Sequence, residues 1–230
     1  MLALRRCIAI VAFAFAIFVP RIAFAQLHWD ASVQLGGMKR FLTERQPGSD
    51  DAGFGPTGQI TAHLALLPLV HAGLYLGHDI SPLPDPAAAR NTTFFGARGK
   101  VALPMTGDLR GYGFLGFGMA IVSQQSFDYP GFPYVGPGGG APVRKDAHVE
   151  SAGGSFFEVP LGFGVSYKLR KPWELCAELG ARVGFAHSGS VYDEFRGAQV
   201  KAPGEVDQNL TSFGIDRFAL GLTVGVMLDL

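Results

Sequence analysis

Between Phe157 and Phe185 apolar and polar positions alternate with period two, broken once. Phe157, Val159, Leu161, Phe163, Val165 and Tyr167 share one parity, against Glu158, Pro160, Gly162, Gly164, Ser166 and Lys168. After a turn over Leu169 to Pro172, Leu175, Ala177, Leu179, Ala181, Val183 and Phe185 alternate with Glu174, Cys176, Glu178, Gly180, Arg182 and Gly184. Side chains along a strand point to opposite faces in turn. The pattern therefore predicts a hairpin with one wholly apolar face and one of glycine, small residues and charge. Each arm exceeds the roughly five or six residues of an ordinary globular strand. It matches the about ten that a tilted strand needs to cross a bilayer.

Six further segments alternate in the same sense: Leu27 to Phe41, Gly58 to Leu67, His71 to Ile80, Phe94 to Leu103, Arg110 to Gln124, and Gly214 to Leu230. In the last, Phe218, Leu220, Leu222, Val224, Val226, Leu228 and Leu230 oppose Arg217, Ala219, Gly221, Thr223, Gly225, Met227 and Asp229. In the fifth, a register with Leu115, Phe117, Met119 and Ile121 on the apolar face sends Tyr112 and Phe114 inward. Long connections alternate with short ones. The long ones are Thr43 to Gly55, Ser81 to Thr93, Gln125 to Ser155 and His187 to Ser212; the short ones lie at Pro68, Pro104 to Leu109 and Leu169 to Pro172. Short turns on one side, long loops on the other and an even strand number predict an all-β, eight-stranded antiparallel up-and-down transmembrane barrel.

The same alternation turned inside out would give a secreted, water-soluble barrel of lipocalin type. Three features favour the membrane form. Glycines on the polar face suit the crowded interior of a small barrel. Asp30, Asp79, Arg98, Lys100, Glu158, Glu178 and Arg182 share that face; an Arg or Lys facing lipid at mid-depth costs about 2–4 kcal/mol. A soluble barrel also has no need of the long and short asymmetry.

Residues 1–25 read as a signal peptide: Arg5 and Arg6, an apolar run from Ile8 to Val19, then Ala23-Phe24-Ala25 as a cleavage site ahead of Gln26. The run is too short for the roughly twenty residues of a spanning helix. Residues 26–230 then form the barrel domain, exported to a bacterial outer membrane. Cleavage removes Cys7 and leaves Cys176 alone, which excludes an internal disulfide. Loss of Arg5, Arg6 and Arg21 leaves the chain mildly acidic, which argues against nucleic acid as a partner.

The hairpin EVPLGFGVSYKL…WELCAELGARVGF and the C-terminal strand FALGLTVGVMLDL resemble the small eight-stranded outer-membrane barrels of the OmpA/OmpX type. The resemblance covers the whole mature chain. It implies outer-membrane lipid and lipopolysaccharide as surroundings, and the barrel-assembly machinery as a partner in insertion. Leu230 stands where that family commonly has a terminal aromatic.

Three constellations carry candidate chemistry. Arg98, Lys100, Glu158, Glu178 and Arg182 form an interior polar network that acts as a static plug or as a gate for small solutes. His187-Ser188-Gly189-Ser190 with Glu194 is set against the His-x-Ser pattern of lipid-A deacylases. Gly189 occupies the required position and Ser188 has the opposite parity, so the pattern fails. Phe127, Tyr129, Phe132 and Tyr134 mark a long loop as a surface for an extracellular ligand. No cofactor or metal constellation stands out. The expected role is structural or interactional through the loops, without catalysis. The alternatives are a lipid-A-modifying enzyme and a narrow gated pore.

Overall fold

The structure, a computed structural model, describes residues 28–41, 53–83, 89–103, 105, 107–134, 141, 143–151, 153–189, 191, 198–201, 208–210, 215 and 217–230. The expected signal peptide, Ser190 and Glu194 lie outside these residues. The described strands are β1 (Trp29–Phe41), β2 (Gly55–Leu67), β3 (Val70–Ser81), β4 (Arg90–Leu103), β5 (Leu109–Val122), β6 (Gln125–Tyr134), β7 (Val143–Ser151), β8 (Gly154–Arg170), β9 (Trp173–Ser188), β10 (Ala198–Lys201), β11 (Gln208–Leu210) and β12 (Phe218–Asp229).

Strands β1, β2, β3, β4, β5, β8, β9 and β12 close into an antiparallel barrel, β12 returning to pair with β1. The seam runs in register from Asp30↔Asp229 to Phe41↔Phe218. The eight barrel strands correspond one to one with the eight alternating segments. Several extend further toward the long connections: β2 starts at Gly55, β4 at Arg90, and β9 continues to Ser188. Ladder hydrogen bonds form whatever the side chains are. Alternation marks only the portion whose outer face is apolar, and the wall continues beyond it.

Two connections expected to be irregular contain strands. Within the gaps Gln125 to Ser155 and His187 to Ser212, β6, β7, β10 and β11 pair as a separate sheet in the order β11-β10-β7-β6. Pro130, Gly131 and Pro133 hide β6 from a periodicity search. Its pairing with β7 also shifts register between Tyr129 and Phe132, so no single parity spans the strand.

The apolar parity faces outward. Leu161, Leu179 and Leu222 are 39%, 45% and 55% exposed. Around the wall they are joined by Leu35, Ile60, Leu74, Phe95, Leu115, Phe163 and Val224, all exposed. Trp29 and Trp173 face outward at the short-turn end, as in the aromatic belts at membrane interfaces. The opposite parity is buried: Asp30, Asp79, Arg98, Lys100, Glu158, Glu178 and Arg182 all lie inside, as their parity predicts. Tyr112 and Phe114 are inside as well, which settles the fifth strand's register.

Glycine makes room for these rings. A Cβ on Gly118 would collide with the Tyr75 hydroxyl, and one on Gly164 with the Tyr112 ring. The bare backbone there leaves room for each tyrosine, whose hydroxyl reaches a buried carboxylate, Tyr75 to Glu158 and Tyr112 to Glu178.

Candidate functional site

The inward side chains arrange themselves in levels along the axis, because successive inward positions on each strand are two residues apart. Nearest the short turns, Asp30 collects donors: Lys100 Nζ lies 2.6 Å from Oδ2, His71 Nδ1 3.2 Å from the same oxygen, and His63 Nδ1 3.0 Å from Oδ1. Arg98 Nε donates to His63 Nε2 at 3.2 Å, so His63 carries its proton on Nδ1 and gives it to Asp30.

At mid-barrel Arg98 and Glu178 form a bidentate pair at 2.9 and 2.7 Å. Glu178 also accepts from the Tyr112 hydroxyl at 2.8 Å and from Gln59 Nε2 at 2.9 Å. Gln59 continues to Gln34, whose amide oxygen accepts from Thr223 Oγ1 at 2.6 Å. Toward the long connections, Asp79 Oδ2 accepts from Arg40 and Arg182, each at 3.0 Å, and Thr57 donates to the other oxygen. Glu158, fully buried, accepts from the Tyr75 hydroxyl at 3.2 Å.

Several interior cations also lie over aromatic faces. Arg98 is 4.2 Å from the Phe114 centroid, Arg182 3.4 Å from Phe94, and Lys100 5.1 Å from Tyr112. Between the mid-barrel and upper levels remains a cavity of about 30 Å³ lined by Met38, Tyr75, Arg98, Glu178 and Arg182 among others. That is the scale of a single water.

Arg98, Lys100, Glu158, Glu178 and Arg182 therefore lie together inside the barrel but do not all pair with one another. Arg98 and Glu178 pair directly, whereas Lys100 and Arg182 go to Asp30 and Asp79, and Glu158 to Tyr75. Arg40, His63, His71, Gln59 and Tyr75 complete the network without having been singled out from the sequence, and Tyr112, expected only to point inward, joins them. Their shared parity was the available signal. Arg40 escaped because the interruption at Gly36-Gly37 ends the clear alternation of the first segment.

Outside the barrel, Phe132 (5% exposed), Ala147 and Val149 make a small core between β6 and β7, with Leu83, Phe127 and Tyr129 packed on it. Three of the four loop aromatics thus hold the sheet together; the Tyr134 side chain lies outside the described residues. Exposed charges sit on its flanks, with His148 Nδ1 2.8 Å from Asp128 Oδ1 and Asp146 accepting from the Gly131 amide. Ser188, from the failed deacylase pattern, is exposed and meets Ser155 Oγ at 2.9 Å.

A closed barrel of eight antiparallel strands, apolar outside and filled with paired charge, is the architecture of the small outer-membrane β-barrels. In sequence the chain matches no family model and no curated protein. Among solved structures it is similar to Neisserial surface protein A, at 12% identity over 90% of this chain and 98% of that one, TM-score 0.49. It is also similar to Ail of Yersinia pestis in complex with the heparin analogue sucrose octasulfate, at 8% identity over 87% and 97%, TM-score 0.40. The outer membrane protease OmpT of Escherichia coli matches at 11% identity over 89% and 96%, TM-score 0.34. Likeness of this degree assigns no activity.

Proposed function

We propose that this barrel is a sealed membrane anchor whose work is done by the sheet of β6, β7, β10 and β11, which meets a surface partner, and that it catalyses no reaction. The observation that carries the reading is the Arg98–Glu178 level. A bidentate pair, reinforced by Tyr112 and Gln59, occupies the middle of a barrel only just wide enough to be filled by side chains. Opening a path there means separating buried charges, which costs several kcal/mol. The second support is the core of Phe132, Ala147 and Val149. It gives the long connections a fixed surface on which a partner can be recognised without ordering a loop at the moment of binding.

The reading is tested with the intact protein in two ways. In planar bilayers the wild type is expected to give no steady ion conductance; discrete openings would overturn the seal. On cells, replacing residues 125–151 with a short turn is expected to leave a heat-modifiable barrel while abolishing attachment to host or matrix surfaces. Undiminished attachment by that variant would overturn the role of the sheet.

A further inference from the structure

The Arg98–Glu178 level stands between two spaces in the barrel. On its short-turn side is a cavity of about 630 Å³ whose wall includes Asp30, His71, Lys100 and Tyr112. On its other side is the water-sized cavity of about 30 Å³ lined by Met38, Tyr75, Arg98, Glu178 and Arg182 among others. Toward the long connections lies a buried apolar layer that includes Phe94, Val122, Phe156, Val191 and Ile215. The polar approach to the small cavity is therefore from the short turns, and it leads to Arg98. His63, 3% exposed, holds that arginine in place. It gives its Nδ1–H to Asp30 at 3.0 Å and accepts the Arg98 Nε–H on Nε2 at 3.2 Å. An imidazole does both only while neutral, because the imidazolium has two N–H donors and no acceptor.

We propose that His63 is an acid-released latch on this level: a proton on its Nε2 drives Arg98 off and lets water pass from the larger cavity to the smaller. The proposal deepens the sealed reading given above and rests on it. A proton arriving from solvent takes the lone pair that the Arg98 Nε–H uses, so an N–H then faces an N–H across 3.2 Å. Imidazolium and guanidinium also repel, and buried charges are little screened. Asp30 keeps its bond to Nδ1 and so keeps the ring where it is. The long arginine side chain is the part that gives way.

The other charged and titratable groups facing this spot are Asp30 of β1, His71 of β3 and Lys100 of β4. Glu178 and Cys176 of β9 and Tyr112 of β5 gather around Arg98. Lys100 already answers Asp30 at 2.6 Å, which leaves that carboxylate less attraction for a second cation. His71 bonds the same carboxylate but not Arg98, and so serves as the internal control. His63 acts through Arg98 and is a positioning residue.

The test uses the intact protein in lipid nanodiscs. In ¹⁵N-labelled wild type, long-range imidazole correlations in nuclear magnetic resonance read the His63 tautomer. The expected result is the Nδ1–H form at about pH 7.5, and at about pH 5, below the ordinary histidine range, a doubly protonated ring with a shifted Arg98 Nε–H signal. A proton on Nε2 at neutral pH, a ring still neutral in acid, or protonation without change at Arg98 would overturn the latch. Water entry is read on Met38→Cys in a Cys176→Ser background with methyl methanethiosulfonate. Each rate is divided by that of the same variant unfolded in urea at the same pH. Protection at about pH 7.5 and its loss at about pH 5 are expected, across the range where histidine titrates. His63→Gln keeps an acceptor for Arg98 and a donor for Asp30 but takes up no proton, and is expected to stay protected in acid. His71→Gln is expected to respond as its parent does. An acid response that survives His63→Gln would assign the proton to a carboxylate and overturn the proposal, as would one that His71→Gln removes. Fast reaction already at neutral pH would overturn the seal itself, and the latch with it. Heat-modifiable migration reports whether each variant is folded, and the wild-type spectrum decides where one is not.

Discussion

Removing the carboxylate of Glu178 isolates the energetic role of the mid-barrel level. In the wild type that group accepts both arms of Arg98 (2.9 and 2.7 Å), the Tyr112 hydroxyl and Gln59. Glu178→Ala leaves the Arg98 guanidinium in place over Phe114, almost wholly buried and without its counter-charge. Breaking a buried pair by deleting one partner costs about 3–5 kcal/mol. At about 1.4 kcal/mol per decade, the unfolding constant rises by roughly two to three and a half orders of magnitude. The assay is equilibrium urea unfolding in lipid vesicles, followed by fluorescence of Trp29 and Trp173, the chain's 2 tryptophans, both on the outer wall. The double variant Arg98→Met/Glu178→Leu removes both charges and fills their volume, and is expected to regain wild-type stability or exceed it. A single variant within about 0.5 kcal/mol of wild type, the range of ordinary surface substitutions, would refute the reasoning. So would a double variant no more stable than the single one, since shape rather than charge would then be at fault.

Three further outcomes follow from packing. Gly164→Ala pushes a methyl group into the Tyr112 ring; it is expected to cost about 1–3 kcal/mol as overpacking, and the same urea experiment should show the cost shrinking when Tyr112 is also alanine. Leu222→Arg places a cation on the exposed apolar wall and is expected to cost about 2–4 kcal/mol in lipid vesicles. Phe132→Ala empties the core of the outer sheet. It is expected to speed proteolytic cutting within β6 and β7 several-fold on intact cells, while the barrel keeps its heat-modifiable migration.

The barrel was legible because lipid imposes a one-sided rule on every strand. Leu161, Leu179 and Leu222 announce the outer face by parity alone, and Asp30, Arg98 and Glu178 the inner one. Partner choice was not legible. Arg98 pairs with Glu178, but Lys100, only two residues along, reaches Asp30 on β1, a strand far away in sequence. Such pairings follow from stagger around the closed wall, which no single segment encodes. The outer sheet was hidden for a different reason: its strands bury one small patch around Phe132 rather than a whole face, and prolines interrupt β6.

The most direct measurement of the central claim is a nitroxide scan of β12. Residues 220 to 225 are replaced one at a time by a labelled cysteine in a Cys176→Ser background, and collision with oxygen, which partitions into hydrocarbon, is read in lipid vesicles. Oxygen accessibility is expected to alternate with period two, with maxima at Leu220, Leu222 and Val224 and minima at Gly221, Thr223 and Gly225. Maxima at Gly221, Thr223 and Gly225 would contradict the account and turn the barrel inside out.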